Sequence, residues 1–296
     1  SGNRNIRLQE LKKDLSGPKE GGLDRILVSD SRNPGLGFEG SHFYKIDGMY
    51  YLFLIHSLPD RWMRTQACYV SDSLTGEFKG GDVLCDTMGY CGQGVAQGGI
   101  VDTPYHKWYA VLFQDRGAVG RIPVLVPVKW EKNVRVTCMP APGEQKEQII
   151  KENYPVLGDS GRALCEVETQ STRPDAQYHP LVESDDFSEW NPEQKRLFGT
   201  FGWKSCWQFN HEPELSWIEN DAEKGCLRMV CRKQCKNVTQ AVNTITQRMK
   251  FPVCITEVTV DAEGIKDGDY AGMCALQGCY GMAAVTKRDG QMLLVM

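Results

Sequence analysis

The sequence has no apolar run near the eighteen or so residues that a membrane-spanning helix needs, and no N-terminal signal pattern. It has no excess of positive charge. A net charge of −4 gives no electrostatic reason to expect nucleic acid or an anionic membrane as partner, and points to a neutral substrate. There is no Gly-x-Ser-x-Gly elbow and no Ser/His/Asp arrangement, and the five histidines show no metal-ligand spacing. The glycine-rich run Gly94–Gly99 has neither the Lys-Ser/Thr ending of a P-loop nor the dinucleotide spacing, which argues against a phosphate loop. Cysteine is plentiful, at twelve residues, but lacks pattern. The densest group, Cys226, Cys231 and Cys235, forms no Cys-x-x-Cys knuckle, and a zinc site there has no fourth ligand nearby. Unpatterned thiols fit a reducing compartment better than a secreted disulfide scaffold, which favours a cytoplasmic location.

Helical periodicity is scarce as well. Short alternating or β-branched runs recur instead, at 6–11, 26–29, 42–54, 67–70, 100–113, 122–130, 227–230, 255–260 and 280–295, separated by Gly, Pro, Asp and Ser. Only 144–152 reads as a helical turn or two. The fold class is therefore all-β. The hairpin at 43–53 carries Tyr50-Tyr51 and the hairpin at 101–113 carries Trp108-Tyr109, 58 residues later. That interval is close to one four-stranded propeller blade, and aromatics so placed would pack neighbouring blades together. From Met139 to Pro180 the composition shifts to Pro, Glu, Gln and Asp, suggesting a connector, and strand signals resume at Ser184–Phe187 in a second, sandwich-like unit. The chain opens on Ser1-Gly2 and stops after Gln291–Val295, which reads as mid-strand, so a piece of a longer protein is expected.

One carboxylate stands out. Glu39 opens the run Glu39–Tyr44, and Asp47-Gly48 then separates it from Met49–Leu54, a strong hairpin signal because both turn positions need or tolerate φ > 0. A carboxyl fixed at the mouth of a strand is well placed to donate a proton. The alternative is a solvated residue ahead of a strand. Arg121, in Gly120–Pro123, offers a donor fork for sugar hydroxyls or a carboxylate, against an exposed loop arginine. Trp108, Trp130, Tyr50 and Tyr51 suit either a sugar-stacking cleft or the core. The glycines of 94–99 suit close approach of backbones at a propeller centre, or of a ligand.

Glu39-Gly40-Ser41-His42 resembles the general-acid motif of glycoside hydrolase family 43. Further stretches agree in order: Asn5–Leu8, Asp14–Gly17, Tyr50–Leu52, Ser71–Ser73, Gly76–Phe78, Gly99–Thr103, Trp108-Tyr109, Gly120-Arg121 and Pro127–Trp130. Trp207–His211, Asn243–Arg248 and Lys266–Gly272 resemble the C-terminal β-sandwich of the family's β-xylosidases. The resemblance implies part of a five-bladed propeller in residues 1–178 and an incomplete concanavalin-like sandwich in 179–296. It implies inverting hydrolysis of β-xylosides or α-L-arabinofuranosides of plant cell-wall oligosaccharides, with Glu39 as general acid and Arg121, Gln97 and His42 as substrate-binding residues. The base and the carboxylate that keeps the acid protonated lie upstream of the Glu-Gly motif in the family. Their motifs are missing here, since Asp14, Asp24 and Asp30 stand in other contexts, so the chain alone is expected to be inactive. No cofactor is required. Gln97 stands where many relatives place a histidine, sometimes beside a calcium ion, which leaves a structural calcium in the channel open, as it leaves self-association. The alternative of another class is a non-catalytic carbohydrate-binding propeller with an accessory sandwich.

Overall fold

A computed structural model describes residues 4–177, 179–191, 202–250 and 253–296. Two compact units, Ser1–Pro174 and Asp175–Met296, divide the chain. The described residues hold strands and short 3-10 turns but no α-helix, in agreement with the all-β reading.

In the first unit, strands β1 (Asn5–Gln9) and β2 (Asp24–Ser29) form an antiparallel pair. Strands β3 (Glu39–Ile46), β4 (Met49–Ser57), β5 (Arg64–Ser71) and β6 (Lys79–Leu84) then follow as consecutive antiparallel neighbours. The β3–β4 turn is the Asp47-Gly48 pair read from the sequence, with both residues at positive φ (49° and 82°), as a tight right-twisted hairpin requires. Strands β7 (Ala96–Asp102), β8 (Trp108–Asp115) and β9 (Arg121–Glu131) build the next sheet. A hairpin of β10 (Val134–Ala141) and β11 (Glu144–Ile150) leaves it to join the edge of β6, and β12 (Tyr154–Leu157) returns to complete the four-stranded order β12-β9-β8-β7. Two successive four-stranded antiparallel sheets with an outlying pair are the blades of a partial propeller.

Two expectations fail here. Residues 144–152, expected to be helical, are mainly β11. Helix-forming Glu, Gln and Lys are placed in a strand because the turn at Gly143 brings them antiparallel to β10, with Val134 opposite Ile150. Likewise the expected connector from Met139 holds the end of β10, all of β11 and β12. Its charge hides the strands because β11 has exposed residues on both faces.

Strand β4 is buried on both faces from Tyr51 to Ser57, which explains its continuous apolar run. On one face Leu52 and Leu54 pack with Ala67, Phe78, Phe38 and Val28. On the other, Tyr51 and Phe53 meet Ile100, Ala110, Leu112, Val126 and Tyr154 from the following blade. Each such fully buried side chain contributes about 1.5–3 kcal/mol. The repeated aromatics do join blades: Tyr51 meets Trp130 edge-on at 5.0 Å, and Trp130 meets Trp108 at 5.5 Å. They are packing residues rather than a sugar platform. Tyr154 ties the sheets too, its hydroxyl donating to the Cys68 carbonyl (2.6 Å) and accepting from the Gly81 N–H (3.3 Å). Tyr154→Phe leaves both buried groups unsatisfied, and a loss of about 1–3 kcal/mol is expected in denaturant unfolding.

Behind the Leu52/Leu54 face lies a buried charged cluster. His56 is 2% exposed, with Nε2 2.8 Å from Asp82 and Nδ1 3.3 Å from Asp30. The Asp30 contact is an ion pair without hydrogen-bond alignment, since Nδ1 has no aligned partner. Asn33 braces Asp30, its amide donating to the carboxylate at 2.9 Å and to the Ser57 carbonyl at 2.7 Å. Burial alone would lower the His56 pKa, but the two carboxylates outweigh it and push it up to about 9.

In the second unit β13 (Gln208–Phe209) pairs with β16 (Ile245–Thr246), and β14 (Ile218–Asp221) with β15 (Cys226–Met229). Strands β17 (Tyr270–Gln277), β18 (Cys279–Arg288) and β19 (Gln291–Val295) form a meander whose last turn is the expected Asp289-Gly290. Trp203 is buried against Phe187 and Phe209. Two stretches read as strands are not. Ser184–Phe187 is irregular and places Asp185 to accept from the Trp207 indole at 2.8 Å; residues 255–260 form no strand, with Ile255 86% exposed. All twelve cysteines are free thiols.

Candidate active site

Strand β3 is not regular. Glu39 pairs with Ile55, but the next pair is His42 with Phe53, so an extra residue is inserted between them. Gly40 takes φ +60° there, as a β-bulge requires. In a regular strand residues 39 and 42 face opposite sides. The bulge restores them to one side, with Tyr44, toward the following blade. Gly40 is also needed for space: a Cβ there would come 2.7 Å from Gln97 Nε2.

Strand β7 carries the matching irregularity. Its register shifts between Ala96 and Gly99, where Gln97 holds φ +65°, a conformation a non-glycine residue adopts only under constraint. The constraint is visible: the Gln97 N–H donates to Gln66 Oε1 at 2.7 Å, and Gln66 is fully buried. Nearby the Ile100 N–H donates to the Tyr44 hydroxyl at 2.9 Å, and a Cβ on Gly99 would come 2.8 Å from His42 Nδ1. The glycines of 94–99 thus permit close backbone approach, one of the two roles read for them. Two bulges on adjacent inner strands therefore face each other and bring Glu39, His42 and Gln97 together.

Pairing extends this row. Ile55, opposite Glu39, is itself opposite Gln66, and two residues along the same face Ser57 is opposite Arg64. Arg64 forms an ion pair with Asp115 at the end of β8, and Asp115 lies 3.3 Å from Arg121 Nε at the start of β9. Burial and the neighbouring Arg121 lower the Arg64 pKa, while the charge of Glu39 acts in the opposite sense. Glu39, Arg64 and Arg121 thus share one electrostatic environment. Arg121 is 61% exposed, with its guanidinium stacked 4.6 Å over Phe113. Trp62, 54% exposed, stands with its ring centroid 5.6 Å from the Arg64 guanidinium. The four residues singled out in the sequence therefore fall at one end of the blades: Glu39 half-buried, Gln97 half-buried, His42 and Arg121 exposed.

Sequence reading missed Arg64, Asp115 and Trp62. The signal for Arg64 was the blade repeat itself, since Arg64 opens the third strand of its blade as Arg121 opens the third strand of the next. Cavities of about 560 and 340 Å³ lie elsewhere, the first lined by Phe38, Tyr69 and Lys146, the second by Gln114, Arg116 and Leu164. Neither presents the paired bulges or their carboxyl, so chemistry and not concavity locates the site. No group of three or more His, Cys, Asp or Glu among the described residues could hold a metal ion, and Gln97 offers one neutral oxygen.

The upstream aspartates are engaged elsewhere. Asp24 makes a two-point ion pair with Arg7 at 2.5 Å, Asp14 accepts from Ser16 in an exposed turn, and Asp30 belongs to the His56 cluster.

Comparisons agree with this architecture. Residues 198–296 match the family model of the Beta xylosidase C-terminal Concanavalin A-like domain, which makes the second unit a β-sandwich of that type. The chain as a whole resembles glycoside hydrolases of family 43. A bifunctional GH43-CE protein of Bacteroides eggerthii is 36% identical with a TM-score of 0.70, over 99% of this chain and 34% of that one. An engineered GH43 glycoside hydrolase with endo-xylanase and exo-arabinofuranosidase activity (21% identical, TM-score 0.64) and a GH43 protein of Bacillus licheniformis (18%, 0.61) share the fold. Each is matched over 99% of this chain, which spans 50% and 54% of their respective lengths. No curated protein sequence matches.

Proposed function

We propose that this chain is the acid-bearing part of a glycoside hydrolase that removes terminal β-D-xylosyl or α-L-arabinofuranosyl residues from plant cell-wall oligosaccharides with inversion. The observation that carries this reading is the Gly40 bulge, which sets Glu39 and His42 on one side at the mouth of an inner strand and brings Gly40 against Gln97. In an inverting mechanism a protonated carboxyl gives its proton to the departing glycosidic oxygen. A second carboxylate activates water on the opposite face, about 6.5–9.5 Å from the first. Glu39 serves as the acid. The base comes from sequence outside this chain, a reading supported by the engagement of Asp14, Asp24 and Asp30 elsewhere and by relatives two to three times as long.

Arg121 donates to a sugar hydroxyl from its perch on Phe113, where the ring fixes the guanidinium plane and leaves its outer edge to solvent. His42 and Gln97 hydrogen-bond the sugar in the innermost subsite. Trp62 offers an exposed ring on which a pyranose face can stack.

The complete protein is expected to release nitrophenol from aryl β-xyloside or α-L-arabinofuranoside, and this chain alone is expected not to. Turnover by the isolated chain contradicts the division of carboxylates. Inertness of the complete protein toward both substrates, with xylo-oligosaccharide binding retained, replaces the hydrolase by a carbohydrate-binding propeller.

A further inference from the structure

Asp115 has no part in the chemistry just described, yet it touches both arginines of the site. We infer that Asp115 is a positioning residue that limits the positive charge facing Glu39 and fixes the aim of Arg121. The inference rests on the reading of Glu39 as proton donor.

Two guanidiniums remain charged at every working pH. Left alone, Arg64 and Arg121 would face the acid with a charge of about +2, and nearby positive charge favours the ionised carboxylate, which cannot donate. Asp115 forms an ion pair with Arg64 and stands 3.3 Å from Arg121 Nε, bringing the trio to about +1. The contact to Arg64 is the more shielded, since that side chain is 16% exposed against 61% for Arg121. By gripping the Nε side, Asp115 and the Phe113 ring together hold the Arg121 plane while its terminal nitrogens stay available to a hydroxyl.

Among the described residues of these strands, no second carboxylate on this face can take the place of Asp115. From β3 the neighbour is His42, and from β4 it is apolar Ile55. From β5 they are Gln66 and Arg64, from β7 the neutral Gln97, from β8 Asp115, and from β9 Arg121. His56, Asp30 and Asp82 belong to the opposite face of the β3–β6 sheet, because side chains alternate and His56 adjoins Ile55.

The test is the pH dependence of kcat/KM in the complete protein on an aryl glycoside with a poor leaving group. Asp115→Asn is expected to move the alkaline limb down by about one pH unit and to raise KM about tenfold. Asp115→Glu restores both. Arg64→Met moves the limb upward, and in the Asp115→Asn background it returns the limb while KM stays raised. If Asp115→Asn alone fails to fold, the Arg64→Met shift carries the test. A merely structural Asp115 lowers activity equally at every pH. An unmoved limb in both single variants overturns the inference while Glu39→Gln still shows its loss; absence of that loss overturns the proton-donor reading instead.

Discussion

Glu39→Gln in the complete protein is expected to reduce kcat/KM by about 10²–10⁴-fold on substrates with poor leaving groups. With activated aryl glycosides, whose leaving group needs little protonation, the loss should shrink to about tenfold or less. The amide keeps the size and hydrogen-bonding shape of the carboxyl and leaves the Gly40 bulge intact, so only the transferable proton is removed. A leaving-group series measured on parent and variant reads the effect directly. Two parallel lines, with equal loss at every leaving group, would assign Glu39 to binding or packing and remove it from proton transfer.

His56 is expected to dominate the pH dependence of stability. Its pKa of about 9 in the folded chain lies above the ordinary 6.5, so the protonated ring stabilises the fold. That contribution, about 3 kcal/mol, is fully present below pH ~6.5 and is lost as pH rises through ~9. Denaturant unfolding at pH 6 and pH 9.5 should show the decline in the parent. His56→Gln should be less stable at pH 6 by about 3–5 kcal/mol, because Asp30 and Asp82 are left buried without a cation, and should lose the decline. A variant as stable as the parent at pH 6 would mean that water or a backbone shift relieves the carboxylates.

Much of the architecture could be read from residue patterns because turns are local. Asp47-Gly48 and Asp289-Gly290 each fix a hairpin through two φ angles, and the aromatics of Tyr50-Tyr51 and Trp108-Tyr109 mark blades through packing. Strands defined only by their partners were hidden. Residues 144–150 have helix-forming composition and become β11 because β10 lies beside them, whereas the β-branched run at 255–260 forms no strand. The site divides in the same way. Glu39, Gly40 and His42 form a contiguous motif. Arg64 and Asp115 come from distant strands and meet only through register, so no spacing rule links them to Glu39.

What the inner strands cannot absorb is a change of length. Removing one residue between His42 and the Asp47-Gly48 turn would slip the strand by one position against β4 and swing the carboxyl toward the side where Phe38 and Val28 pack. Point substitutions nearby trim one contact at a time, whereas loss of a single codon turns the reactive group to the wrong side of its own blade.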